Sequence, residues 1–97
     1  MVKMMSKIPI DLEKVKKEEI NKEVLRVAMI AELDAISLYE QLAQATDSEK
    51  IKEILLDIAK EEKTHVGEFQ TLLLKIDKEQ ALELEKGRKE VEEKTGK

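Results

Sequence analysis

Apolar residues recur every three or four positions through most of the chain, which is the spacing of one face of an α-helix. The pattern continues without a break over residues 12–45 and again over 48–76. We therefore predict two long helices over these ranges, with Asp11 as the N-cap of the first. Between them, Thr46 and Glu49 have the spacing of a capping box that would begin the second helix.

The chain is predicted to end with a third, shorter helix and a tail. Asp77 can cap a helix over 77–86, and Gly87 is expected to stop it because glycine is common just past a helix end. Residues 87–97 are mostly charged and are predicted to form a tail or linker. The expected architecture is all-α: one domain over 1–97, built as an antiparallel two-helix hairpin with a short C-terminal helix.

Composition supports this fold and excludes several kinds of site. Charged and hydrophobic residues each make up 41% of the chain, with few glycines, one proline and only two aromatic residues, so the typical residues of a β-sheet protein are scarce. The absence of cysteine excludes disulfides and thiolate chemistry. A net charge of −4, with both signs interleaved, indicates no surface for nucleic acid.

The sequence contains no pattern for membrane insertion or secretion. No apolar run reaches the roughly 20 residues of a membrane span. The N-terminus has no signal-peptide pattern, so we expect a cytoplasmic location.

Each long helix carries an apolar stripe that charged residues interrupt at its middle. The first stripe consists of Leu25, Met29, Glu32, Ile36, Tyr39 and Ala43, and the second of Ile51, Leu55, Ile58, Glu62, His65, Phe69, Leu72 and Ile76. A hairpin that turns near residue 47 would bring Glu32 to the same height as Glu62 and His65. The charged residues at the middle of the two stripes are therefore expected to lie close together.

Carboxylates that face apolar neighbours cost several kcal/mol each unless something compensates their charge. No lysine or arginine lies within the two stripes, but a divalent cation held by Glu32, Glu62 and His65 would compensate, and iron, manganese or zinc suits this donor set. A lone histidine on an apolar stripe can instead be a hydrogen-bonded core residue. Tyr39 can likewise be a core aromatic or a hydrogen-bond donor to a ligand carboxylate.

A glutamate in one helix followed by Glu-x-x-His in the next is half of the di-iron set of ferritin-like proteins, which use it twice in one four-helix bundle. Here the set occurs once, as Glu32 and then Glu62-Lys63-Thr64-His65, so a second copy of the chain would be needed to complete it. With the stretch Ala-Glu-Leu-Asp-Ala-Ile-Ser-Leu-Tyr over 31–39, this pattern resembles the encapsulated ferritins. That family has an acidic residue and an aromatic near its metal-entry site where this chain has Ala31 and Leu38.

The resemblance implies a homodimer that forms a ferritin-like four-helix bundle, with two irons between the chains, and dimers assembled into an annular decamer. It implies Glu32, Glu62 and His65 as metal ligands, with Tyr39 beside them as a further catalytic residue. It also implies an encapsulin shell protein as partner and a location inside an encapsulin nanocompartment. Residues 91–97 lack an apolar targeting sequence, so we expect a truncated chain or a domain cut from a fusion with the shell protein.

The function expected from this resemblance is a ferroxidase, which oxidises Fe(II) to Fe(III) with oxygen for iron storage. One alternative keeps the fold and changes the chemistry to a half-ferritin that handles manganese or peroxide. The other is a non-catalytic helical scaffold or cargo adaptor, in which the charged residues of the stripes make only structural hydrogen bonds.

Overall fold

The computed structural model describes residues 11–96, with only the backbone of Leu12, and within this range it contains helices and no strand. Two short 3-10 helices, Leu12–Lys14 and Lys17–Glu19, precede three α-helices: α1 over Ile20–Ala45, α2 over Glu49–Ile76 and α3 over Lys78–Thr95. The predicted all-α fold is confirmed. The N-terminal residues on which the signal-peptide argument depends lie outside the described range.

The first helix begins later than the sequence predicts, at Ile20 and not near residue 12. Asp11 does act as a cap, since its Oδ1 accepts a hydrogen bond from the Glu13 backbone N–H at 3.1 Å, but it caps a single 3-10 turn. The start of α1 is set by packing against α2. Because α2 ends at Ile76 and the next residue, Asp77, already contacts Arg26, the residues before Ile20 have no part of α2 to pack against.

The turn between α1 and α2 is capped by a different residue from the one predicted. The N-cap of α2 is Ser48, whose Oγ accepts from the Ile51 N–H at 3.4 Å. Thr46 instead accepts from the Ser48 N–H through its hydroxyl, at 3.2 Å. The capping box of Thr46 and Glu49 is therefore wrong, because Thr46 stabilises the turn and Ser48 begins the helix.

The third helix is longer than predicted. It begins after Asp77 as expected, but it passes through Gly87 and ends only at Thr95. An interior glycine costs roughly 1 kcal/mol. The ion pair of Arg88 with Glu85 spans this position, the pair of Arg88 with Glu92 follows it, and both favour the helix. The glycine that ends the helix is Gly96, which has a φ of 77° in the left-handed region.

The main packing contact of the described residues is the interface along which α1 and α2 face each other, which we call the seam. Its buried apolar side chains are Ile36 and Ala43 on α1 and Ala59 and Leu73 on α2. The α1 residues belong to the predicted stripe. The α2 residues do not, because they lie one position after Ile58 and Leu72. The predicted stripe of α2 lies to one side of the seam, where its residues are half-buried or exposed.

The molecule is flat, with extents of 45 × 43 × 19 Å. A helix of the length of α2 is about 42 Å long, so the hairpin accounts for one long dimension and α3, which leaves it at a steep angle, for the other. Among the described helices, none is both long and apolar enough to cross a lipid bilayer.

Candidate metal centre

Three side chains converge at the middle of the hairpin. Glu32 comes from α1, whereas Glu62 and His65 come from α2, three residues apart and therefore on one helical face. The His65 Nδ1 lies 3.3 Å from Glu32 Oε2 and 3.4 Å from Glu62 Oε2. One ligand atom from each residue lies within 4.8 Å of the others. We call these three residues the triad.

The spacing of the triad fits donors around one metal ion. Donor atoms at right angles to one another, each about 2.1 Å from an ion, lie about 3 Å apart. The nitrogen-to-oxygen distances of 3.3 and 3.4 Å are close to this value. Two carboxylate oxygens and one imidazole nitrogen suit iron, manganese or zinc better than calcium, so the donor set fits the metal that the sequence predicts.

The charges of the triad are only partly compensated within the chain. Both carboxylates are largely shielded, with exposed side-chain fractions of 20% for Glu32 and 19% for Glu62. Within residues 11–96 neither forms an ion pair with lysine or arginine, and His65 is their shared partner. Two carboxylates against a single imidazole leave negative charge near apolar neighbours, which a bound cation would neutralise.

The triad opens onto an exposed apolar surface. At about 100° per residue, a second apolar stripe on each helix lies roughly a quarter-turn from the seam, and the antiparallel arrangement puts both stripes on one side of the hairpin. We call this surface the front face. It consists of Val24, Ala28, Ala31, Ala35 and Leu42 on α1, and of Ile51, Ile54, Ile58, Phe69, Leu72 and Ile76 on α2.

Several large apolar side chains of the front face are exposed. Ile51, Ile54 and Leu72 keep 54%, 61% and 51% of their surface accessible. His65 is 43% exposed toward the same side. Large exposed apolar patches mark interaction sites, and the triad lies at the edge of this patch.

The remaining predicted site residue is not joined to the triad. Tyr39 is half-buried on the same side of α1 as Glu32, but it lies two turns, or about 10 Å, further along the helix. Within the described residues no hydrogen bond connects its hydroxyl to the triad. Its role as a further catalytic residue stays a prediction.

Sequence reasoning missed two cross-helix ion pairs on the side opposite the front face. Lys63, next to Glu62, lies 3.0 Å from Glu40 of α1. Arg26 lies 3.1 Å from Asp77, at the other end of the hairpin. Both pairs join positions whose numbers sum to 103, and this constant sum for antiparallel neighbours is the signal that could have found them.

Comparisons with known proteins identify the family of the chain. The family model named Rubrerythrin matches residues 23–96, which include the whole triad and most of the three α-helices. The chain belongs to the rubrerythrin family.

Relatives of this family member connect it to encapsulated ferritins. It is 59% identical, over 80 residues and 82% of its length, to a ferritin-like-encapsulin shell fusion protein of Pyrococcus furiosus. It is 44% identical, over 57 residues and 59% of its length, to the encapsulin nanocompartment cargo protein EncC of Myxococcus xanthus. The chain spans 23% and 44% of the lengths of these two proteins.

A solved structure gives the same result for the fold. The encapsulated ferritin domain from Pyrococcus furiosus superposes with a TM-score of 0.82 and 50% sequence identity, over 96% of this chain and 95% of that one. The resemblance to encapsulated ferritins is therefore confirmed.

Proposed function

We propose that two copies of this chain form a di-iron ferroxidase, which oxidises Fe(II) to Fe(III) with oxygen for iron storage. The observation that carries the proposal is the position of the triad at the edge of the exposed front face. In such a place a metal ion would meet donors from two chains. Glu32, Glu62 and His65 are the proposed metal ligands.

The number of donors in one chain supports the dimer. A di-iron site in a ferritin-like bundle takes one glutamate and one Glu-x-x-His from each half, and the triad supplies one such half. Pairing two front faces about a two-fold axis places the second triad opposite the first. The same pairing buries Ile54, Leu72 and their neighbours and gives a four-helix bundle. By resemblance, such dimers assemble further into an annular decamer.

The protein's residues have separate parts in the proposed reaction. The carboxylates of Glu32 and Glu62 supply negative oxygen donors, which favour Fe(III) over Fe(II), and the neutral imidazole of His65 fixes the geometry. The apolar side chains of the front face exclude bulk water. Two Fe(II) substrate ions lose one electron each to one O₂, which takes up two protons and leaves as hydrogen peroxide.

The names of the relatives support the proposed partner and location. One is a fusion of a ferritin-like part with an encapsulin shell, and the other is an encapsulin cargo protein. We propose that this chain also works inside an encapsulin nanocompartment and that the shell protein is its partner. Because residues 91–97 lack an apolar targeting sequence, the test joins the chain to shell protein, as in the Pyrococcus furiosus relative. The fused chain should be enclosed in the assembled shell, and shells that leave it outside would contradict this part of the proposal.

Anaerobic addition of Fe(II) followed by oxygen tests the chemistry. The wild-type chain should oxidise Fe(II) faster than buffer alone, with saturation at one iron per chain. Glu62→Ala and His65→Ala should reduce the rate to that of buffer. Glu53→Ala is the matched control, since Glu53 is exposed on the same helix and away from the triad.

The outcomes separate the proposal from its alternatives. Oxidation of the wild-type chain at the buffer rate would favour a non-catalytic scaffold. Slow reaction with oxygen but fast consumption of added peroxide, or preferential turnover with Mn(II), would favour the manganese or peroxide function. An unchanged rate in both triad variants would contradict the assignment of the ligands.

The dimer has its own test. Leu72→Glu, on the front face, should shift the chain toward monomers in size-exclusion chromatography with light scattering, because a charge would be buried at the interface. Leu56→Glu is the control, since Leu56 lies on the same helix but away from the front face, and the two leucines are 51% and 46% exposed. Equal effects of the two substitutions would overturn the front face as the interface.

A further inference from the structure

The bend between α2 and α3 depends on one residue. The first helix of the pair ends at Ile76 and the next begins at Lys78, so Asp77 alone separates them. Its φ of −126° and ψ of 88° lie outside the helical region. The direction of the whole of α3 is therefore set at Asp77.

The local sequence does not itself call for a bend. Residues 74–81 read Leu-Lys-Ile-Asp-Lys-Glu-Gln-Ala and contain neither glycine nor proline. In an isolated helix an aspartate costs less than about 0.7 kcal/mol relative to alanine. The bend leaves backbone N–H groups in the first turn of α3 without carbonyl partners in the helix. A helix that continued through residue 77 would provide those partners.

Side-chain contacts of Asp77 compensate for the helical hydrogen bonds that are lost at the bend. Its Oδ1 accepts a hydrogen bond from the Gln80 backbone N–H at 3.0 Å, which caps α3. Its Oδ2 accepts from Arg26 Nη2 of α1 at 3.1 Å, and the same guanidinium donates to Glu23 at 2.7 Å. Asp77 is only 7% exposed, and it is the one buried charged residue in the described part of the chain.

A shallow apolar groove lies beside this corner. It has a volume of about 430 Å³ and is formed by α1, the end of α2 and the first turns of α3. Leu84 of α3 faces Ile30 and Leu33 of α1 there. Leu33 still keeps 53% of its surface exposed and Leu84 keeps 42%, so this packing alone holds α3 weakly.

We propose that Arg26 and Asp77 form a latch that keeps α2 and α3 as two helices, and that residues 49–95 form one continuous helix when the latch is broken. This conformational device is independent of the metal site. A continuous helix over these residues would be about 70 Å long, whereas the longest extent of the bent chain is 45 Å. The latch therefore determines where α3 presents its exposed apolar residues, Leu82 and Val91.

Spin labels on Lys50 and Glu90 test the latch by pulsed electron–electron distance measurement. Both positions are exposed, and the chain has no cysteine that would compete for the label. A straight helix would separate the two backbone positions by about 60 Å, and the bent chain holds them closer. Labelled protein is diluted with an excess of unlabelled protein, so that distances between chains do not contribute.

Two substitutions and one control decide the outcome. Arg26→Gln and Asp77→Ala should both shift the main distance upward by about 10 Å or more, toward the straight-helix value. Arg88→Gln removes an arginine ion pair within α3 and should leave the distance unchanged. If Asp77→Ala does not fold, Arg26→Gln alone decides.

Two results would overturn the proposal. A short distance in both variants would mean that apolar packing of Leu84 sets the bend. Lengthening in Asp77→Ala but not in Arg26→Gln would assign the bend to the helix cap and exclude Arg26 from the latch.

Discussion

Charged side chains join the helices both at the triad and at the corner between α2 and α3, which is formed by Arg26 and Asp77. The two places differ in how completely their charges are satisfied. At the corner, the Asp77 carboxylate accepts hydrogen bonds from Arg26 and from the Gln80 backbone N–H and is almost wholly buried. At the triad, His65 is the one charged partner that Glu32 and Glu62 have among residues 11–96, and it is 43% exposed.

The difference separates a structural charge from a functional one. A buried carboxylate with a permanent cation and a backbone donor contributes to the fold. Paired carboxylates with too little compensation weaken the fold unless a ligand supplies the missing positive charge. We infer that the corner fixes geometry, whereas the triad is arranged for a cation that the described part of the chain does not provide.

The largest expected effect is on metal binding by the triad. Glu62→Ala should weaken binding of Co(II), a redox-stable probe, by at least about 100-fold, because loss of a mere outer-shell partner already costs 10–100-fold. Isothermal titration measures the change. Asp77→Asn is the control and should leave the affinity within about twofold, since it removes the charge at the corner only. Equal losses in the two variants would mean that the triad and the corner do not differ in function.

The next largest effect is on folding. Asp77→Ala should lower the free energy of unfolding by about 2–3 kcal/mol, since it removes a helix cap and a hydrogen bond between charged groups. Urea unfolding at fixed chain concentration with a chelator present measures this. A change below 0.5 kcal/mol, the usual range for surface substitutions, would show that the Asp77 carboxylate does not stabilise the fold.

The same measurement on the triad should give a smaller change. Without metal, Glu32→Gln should alter the free energy of unfolding by less than about 1 kcal/mol, because the lost contact to His65 is offset by relief of repulsion from Glu62. With saturating Co(II), the wild-type chain should gain stability that the variant does not. A loss as large as that of Asp77→Ala without metal would make the triad a structural cluster.

The smallest effect concerns α3, whose charges are exposed. The Arg88 guanidinium lowers the pKa of Glu85 from its usual value of 4.5, chiefly through a hydrogen bond. Because the folded pKa is lowered, the contribution of this pair to α3 is present above the unfolded pKa and is lost as the pH falls through the lower, folded pKa. NMR titration of Glu85 should give a higher pKa in Arg88→Gln, and an unchanged midpoint would contradict the pairing.

The sequence alone predicts that Glu32, Glu62 and His65 lie close together, because helical spacing and the position of the turn are sufficient for this prediction. Helical spacing puts Glu62 and His65 on one face, and equal distances from the turn put Glu32 at their height. The structure brings these three residues together as expected. Their role as metal ligands stays a prediction until metal is measured.

Helix ends could not be predicted in the same way, because tertiary contacts determine them. Gly87 and Gly96 both look like helix stops, but the Glu85–Arg88 ion pair spans the first, and only the second adopts a left-handed conformation. Similarly, α2 carries two apolar stripes, one of which contains Leu72 and the other Leu73. Only packing against α1 decides that Leu73 is buried.

The most direct test of the shared metal site is native mass spectrometry of the chain with Co(II). We predict that the dimer carries two cobalt ions, that monomers carry none, and that Glu62→Ala abolishes the cobalt-bound dimer. A monomer that binds one cobalt ion as tightly as the dimer, or a dimer unaffected by cobalt, would contradict a metal site built by two copies of the triad.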